Sequence, residues 1–146
     1  MRLRARLLVL VAGLVTAGLV ACSNLKPYPQ TISGVLLQTP GGRPAESVRV
    51  RFISSTQSAD CETQGLDGVT DSEGRFQLSH LYQPSPIEAA VVVVHQYRLC
   101  ISTGSRWEKL WAESIGPAPE VLEFECFIGR WGIDSAPCQV WHHRAT

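Results

Sequence analysis

The sequence has no excess of charge of either sign, no block of like charges, no internal repeat and no low-complexity tract. Lys and Arg number 13 and Asp and Glu number 13, for a formal net charge of +0 at pH 7. No global field therefore draws in nucleic acid, which requires a basic face or stripe. A phosphate-binding loop is missing too, because the Gly41-Gly42 pair lacks the lysine such a loop needs. Asp67, Asp71 and Glu73 stand before Gly74 without the acid spacing of an EF-hand, so turn formation accounts for them. Collagen-like, coiled-coil and multi-span membrane architectures are excluded by the same composition. What is present suits one folded domain: 146 residues, 45% of them apolar and 18% charged, enough for a core and too apolar for a disordered tail.

An uncharged, mostly apolar run, residues 7–21, follows three arginines, Arg2, Arg4 and Arg6. As a helix it would span about 22 Å, short of the ~30 Å hydrocarbon layer of a bilayer. A basic start followed by such a run is the plan of an export signal. The run closes with Leu19-Val20-Ala21-Cys22 and continues into polar Ser23-Asn24. These features resemble the lipobox of bacterial prolipoproteins. The resemblance implies removal of residues 1–21 and acylation of Cys22, on sulfur and then on the new amino terminus. More than one chain is what stable anchoring requires. It further implies a place in the bacterial cell envelope, with Ser23 resembling the signal for the outer membrane, facing the periplasm. The mature chain would keep 125 residues and, without the three arginines, carry ten bases against thirteen acids. Residues 22–30, with Pro27 and Pro29, read as a short extended tether, and residues 31–146 as the domain.

Four further cysteines, Cys61, Cys100, Cys126 and Cys138, read in an exported chain as two disulfides. Sequence leaves three connectivities open; the pairing expected here is Cys126–Cys138 around a local loop and Cys61–Cys100 from a long loop to a strand. A zinc site built from Cys138, His142 and His143 lacks CxxC or HxxxH spacing. No metal and no cofactor is expected.

Beyond Thr31 the apolar spacing is that of short strands. Val48, Val50 and Phe52 alternate with Arg49 and Arg51, which predicts a half-buried strand. Residues 68–71 and 75–79 predict a hairpin-like pair around Ser72-Glu73-Gly74, with Phe76 and Leu78 inward. Residues 87–94, apolar except for Glu88, predict a central strand covered on both faces, extended by Tyr97, Leu99 and Ile101. Residues 105–114 fit either a helix or the return strand of a hairpin with Trp107 and Trp111 on one face, and the hairpin is the expectation. Residues 121–127 predict a strand with Leu122 and Phe124 on one side, and residues 139–143 an edge strand.

Seven or eight such strands argue a β-sandwich. Ile32-Ser-Gly-Val35, Gly42-Arg-Pro-Ala45 before Val48-Arg-Val50, and Thr70-Asp-Ser-Glu-Gly-Arg-Phe76 with Leu78 resemble the carboxypeptidase regulatory-like domain over residues 31–80. That resemblance implies an all-β, transthyretin-like (prealbumin-like) Greek-key sandwich. Transthyretin-like domains include the 5-hydroxyisourate hydrolases, which end in Tyr-Arg-Gly-Ser; this chain ends His142-His-Arg-Ala-Thr146. With no catalytic motif to receive the carry-over, the expectation is that the chain is not an enzyme. His80, His95, His142 and His143 are expected at the surface or at strand ends.

Trp107, Trp111, Trp131 and Trp141 all fall in the last forty residues. Tryptophans in a small sandwich mostly pack its core, and exposed ones make hot spots for a protein partner. The function expected is therefore a membrane-anchored module that binds or supports another envelope protein, with Trp107, Trp111, Trp131 and Trp141 as candidate contacts. An immunity protein or an accessory part of a secretion machine is the more specific form of that reading. A periplasmic hydrolase with an unrecognised site is the alternative from another class.

Overall fold

The computed structural model describes residues 26–39, 41–89, 91–129 and 137–143. Cys22, the export-signal run and Trp131 lie outside the described residues. Eight strands follow in order: β1 (Tyr28–Leu37), β2 (Arg49–Ser55), β3 (Leu66–Val69), β4 (Arg75–Tyr82), β5 (His95–Thr103), β6 (Arg106–Ile115), β7 (Val121–Phe127) and β8 (Cys138–His143). They form two four-stranded sheets, ordered β4-β1-β7-β8 and β3-β2-β5-β6. Every pairing is antiparallel except that of β1 with β7. The fold is the all-β sandwich of two sheets that the strand pattern anticipates.

Alternation decides which side chains meet between the sheets. Val50 and Phe52 of β2, Tyr97, Leu99 and Ile101 of β5, and Leu122, Phe124 and Cys126 of β7 point inward with Ile32 and Leu36 of β1. Phe52 stacks on Tyr97 at 5.5 Å and meets Phe124 edge-on at 6.4 Å, while Trp111 closes on Phe124 at 5.0 Å. Gly34 sits between Phe76 and Phe124 in the register of β4, β1 and β7. A Cβ there would come within 2.6 Å of the Phe124 carbonyl oxygen, so only glycine lets the two rings cover this row.

Both expected disulfides are formed, Cys61–Cys100 and Cys126–Cys138. The second joins β7 to the edge strand β8. The first fastens the β2–β3 loop onto the outer face of β5, over Ile53 and Ala59.

Three expectations are corrected. Residues 68–71 and 75–79 do not form a hairpin, because β3 and β4 belong to opposite sheets and their connection crosses the sandwich. The turn itself is as expected: Asp71 Oδ1 accepts from the Glu73 and Arg75 amides at 2.9 Å each, and Gly74 adopts φ 74°. Residues 87–94 are not a central strand. A 3-10 turn, Pro86–Ala89, opens the segment and β5 starts only at His95; Pro84 and Pro86 cannot donate to a ladder. Finally, β6 is the expected return strand, but Trp107 and Trp111 lie on opposite faces. Leu99 pairs with Trp111 and Cys100 with Lys109, so Leu110 is an extra residue in β6. One inserted residue reverses the facing of everything beyond it.

Candidate functional site

Side chains with chemical potential gather at one end of the sandwich and on the outside of the β4-β1-β7-β8 sheet. The end site begins with a local signal, Ser85-Pro86-Ile87-Glu88. Glu88 Oε2 accepts from the Ser85 amide at 2.9 Å while the Glu88 amide donates to the Ser85 carbonyl at 3.0 Å. This is the carboxylate half of a capping box, on a single 3-10 turn. Once Oε2 is so held, Oε1 faces the ends of β4 and β5. It accepts the Tyr82 hydroxyl at 2.6 Å, and His95 Nε2 lies 2.8 Å from it and 2.9 Å from Tyr82 Oη. A carboxylate acceptor requires the ring proton on Nε2.

The three groups are shielded from water, with side-chain exposures of 15% for Glu88 and 7% for His95. Burial works to raise the Glu88 pKa, but hydrogen bonds from Tyr82, His95 and the Ser85 amide, with the His95 charge, carry it below its ordinary value. The same carboxylate, after burial itself, pushes the Tyr82 hydroxyl far upward, so Tyr82 is a proton donor throughout the physiological range. Behind them Gln30, fully buried, donates to the Pro119 carbonyl at 2.7 Å and accepts from His80 Nε2 at 2.7 Å. Desolvation lowers the His80 pKa and favours its neutral ring. Outside the cluster lies a cleft of about 680 Å³ lined by Ser54, Ser55, Thr56, His80, Tyr82, Glu88 and His95. A carboxylate-oriented imidazole beside a cleft bearing hydroxyls is equipped to move a proton.

His95 therefore departs from the expectation of a bland strand-end histidine. It does stand at the start of β5, but buried and bonded to an acid. The available signal was Glu88: the only charge in an apolar run, three residues after a serine and seven before a histidine.

The second surface is a groove of about 520 Å³ on the outside of the other sheet, lined by Ser33, Val35, Arg75, Gln77, Glu123, Glu125 and Trp141. It reaches the β3–β4 connection at Val69 and Asp71. Trp141 is 45% exposed and Val69 58%. The four tryptophans do not form one surface. Trp111 is a core residue, Trp141 faces this groove, and Trp107 lies on the opposite sheet with the Arg51 and Arg49 guanidiniums over its ring at 4.2 and 5.2 Å. Arg51 also clasps Asp67 through Nε and Nη2 at 2.6 and 2.7 Å, and that hydrogen bond holds the Asp67 carboxyl below its ordinary range. Trp107 is thus a packed partner of a cation and a disulfide.

Cys138, bonded to Cys126, has no thiolate to give a metal. His142 and His143 are consecutive in β8 and so face opposite sides of the sheet. Among the described residues no group of three or more His, Cys, Asp or Glu side chains could hold a metal ion.

No family model and no curated protein matches the chain. The carboxypeptidase regulatory-like resemblance over residues 31–80 accordingly rests on its own residues. Solved structures do resemble it. The Klebsiella pneumoniae 5-hydroxyisourate hydrolase is 18% identical, with a TM-score of 0.45, over 77% of this chain and 97% of the hydrolase. An (S)-allantoin synthase is 14% identical, with a TM-score of 0.43, over 82% of this chain and 45% of the synthase. A 9R-lipoxygenase from Cyanothece PCC8801 is 16% identical, with a TM-score of 0.39, over 73% of this chain and 18% of the lipoxygenase. This chain thus spans under half of the synthase and under a fifth of the lipoxygenase. No activity passes from them to this chain. One expectation is nonetheless corrected. The expectation of a non-enzyme rested on a missing motif, and the similar structures include a hydrolase and a synthase, so it does not stand.

Proposed function

We propose that the chain is an envelope lipoprotein, anchored to the bacterial outer membrane through acylated Cys22, that binds another envelope protein through the groove at Trp141. The observation that supports the binding role is the exposed Trp141 ring, in a groove lined by Val35 and Val69 together with the charged and polar Ser33, Asp71, Arg75, Gln77, Glu123 and Glu125. An aromatic anchor within a polar rim is the usual anatomy of a binding hot spot. The lipobox residues and the pairing of all four remaining cysteines support an exported, anchored chain.

The test is crosslinking in intact envelopes followed by purification. A partner recovered with the unaltered chain and with Trp107→Ala is reduced about thirtyfold in affinity by Trp141→Ala, the ~2 kcal/mol typical of a hot spot. Equal recovery with Trp141→Ala removes the groove from consideration.

A second reading, an envelope hydrolase, has its own observation in the buried Glu88–His95–Tyr82 cluster beside the Ser54–Thr56 hydroxyls. Panels of ester, amide and glycan substrates test it. Turnover that His95→Ala abolishes and His142→Ala leaves intact supports it, since His142 lies on the exposed edge strand. Absence of turnover across the panels retires it.

A further inference from the structure

Residues 87–94 are apolar enough to read as a buried strand, yet Ile87, Val91, Val92 and Val94 are exposed. Among the described residues seven large apolar side chains are exposed, and five of them, Leu81, Ile87, Val91, Val92 and Val94, fall between positions 81 and 94. The one charge in that stretch, Glu88, is turned inward onto Tyr82 and His95. Water is an unfavourable neighbour for so many apolar side chains exposed within fourteen positions, which marks a contact with something else.

Its place in the fold says what covers it. Tyr28, the first residue of β1, pairs with Tyr82, the last of β4. Gly116 lies beside Val92, Val93 and Val94, and the next carbonyls, of Ala118 and Pro119, accept from Tyr28 and Gln30. The exposed stretch therefore occupies the same pole at which the chain enters the sandwich. Cys22 precedes Tyr28 by six residues. At no more than ~3.5 Å per residue, its sulfur lies within about 20 Å of that pole.

We infer that the stretch around Ile87, Val91, Val92 and Val94 enters the lipid surface as a second membrane contact beside acylated Cys22; this rests on the anchored reading proposed above. The acyl chains hold the pole at the bilayer, so the apolar side chains partition at a high effective concentration. Pro84, Pro86 and the Ser85–Glu88 contact fix the backbone in advance, which limits the ordering cost. Insertion stops at the depth of the headgroup and acyl boundary, ~5–10 Å, where exposed backbone groups still reach water. Because the exposed side chains carry no charge, the contact is indifferent to anionic lipid and to salt. Two attachments at one pole also orient the sandwich, with the turn at Gly104 directed away from the membrane.

The lipoprotein, purified whole, is reconstituted into phosphatidylcholine vesicles whose acyl chains carry a diazirine, and adducts are mapped after illumination. The mass of the peptide beginning at Cys22, read from the same digest, reports the anchor alone. Adducts on residues 87–94 are expected at least about tenfold above those at the Gly104 turn, unchanged by phosphatidylglycerol or added salt. Ile87→Ser combined with Val92→Ser, both exposed positions, lowers them about tenfold and leaves the melting temperature and the Cys22 acyl mass as they were. Labelling no higher than at Gly104, or labelling that the double variant keeps, overturns the contact. So does protection of the stretch in native envelopes without lipid adducts, since a protein then covers it. An unmodified Cys22 overturns the anchored reading instead, and adducts on residues 87–94 in that sample uphold the contact by itself.

Discussion

Full reduction of the domain lowers its melting temperature by about 20 °C, close to unfolding it at physiological temperature. The two bonds close loops with sequence separations of 39 and 12. Chain-entropy arguments assign them about 4 and about 3 kcal/mol, against the ~5–15 kcal/mol that separates a typical folded domain from its unfolded chain. They also act at different places. Cys126–Cys138 fixes the edge strand β8 to β7, and both cysteines belong to the main core. Cys61–Cys100 clamps a polar loop over the outer face of the β3-β2-β5-β6 sheet, where Ile53 is buried beneath it and Trp107 packs alongside. Thermal unfolding with and without reductant measures the sum. Replacing each pair by alanine separates the parts, and loss of Cys61–Cys100 is expected to cost about 1 kcal/mol more because its loop is longer. A melting temperature that moves by less than about 5 °C would show that the core holds without the crosslinks.

Much of this architecture was legible in the residues because alternation and punctuation agreed with each other. Arg49 and Arg51 between Val48, Val50 and Phe52 could only be a half-buried strand, and that is β2. The turn chemistry of Asp71 and Gly74 was equally plain, but a turn fixes only its own residues. Whether the strands it joins share a sheet depends on the remaining strands, and here β3 and β4 separate. The tryptophans misled for a reason that composition cannot show. A spacing of four puts Trp107 and Trp111 on one face of any regular strand, and the extra Leu110 undoes it. Residues 87–94 misled because burial was inferred from apolarity. In that stretch the prolines and the Ser85–Glu88 contact outweigh β-propensity, and Val91, Val92 and Val94 are left outside. The end site was half visible. Glu88 stood out as a lone charge, but only the pairing of β1 with β4, and the start of β5 beside them, brings Tyr82 and His95 to it.

Glu88→Gln lowers stability by about 1–2 kcal/mol at neutral pH, and Glu88→Ala by about 2–4 kcal/mol. Alanine removes an acceptor shared by the Tyr82 hydroxyl, the His95 ring and the Ser85 amide, leaving donors in a site from which water is largely excluded. Glutamine keeps one oxygen but loses the charge that strengthens each bond. The pH dependence follows from the direction of the shift. Glu88 has a folded pKa below its ordinary value of 4.5, so its contribution is complete above the unfolded value. It is lost as pH falls through the folded one. Wild type and Glu88→Gln should then differ most at neutral pH and converge in acid. The shared slope from Asp67 and Asp71, both also depressed, cancels in the difference. Urea unfolding across pH 3 to 7 measures this. A constant offset between the two curves would mean that shape rather than charge carries the effect. Amide exchange supplies the local readout. Val91 N–H, which donates to the Ile87 carbonyl at 3.0 Å, should exchange faster in Glu88→Ala while the centre of β5 stays protected. The carboxylate would then be what holds the 3-10 turn against the sandwich, and with it the direction in which Ile87 and the valines after it face.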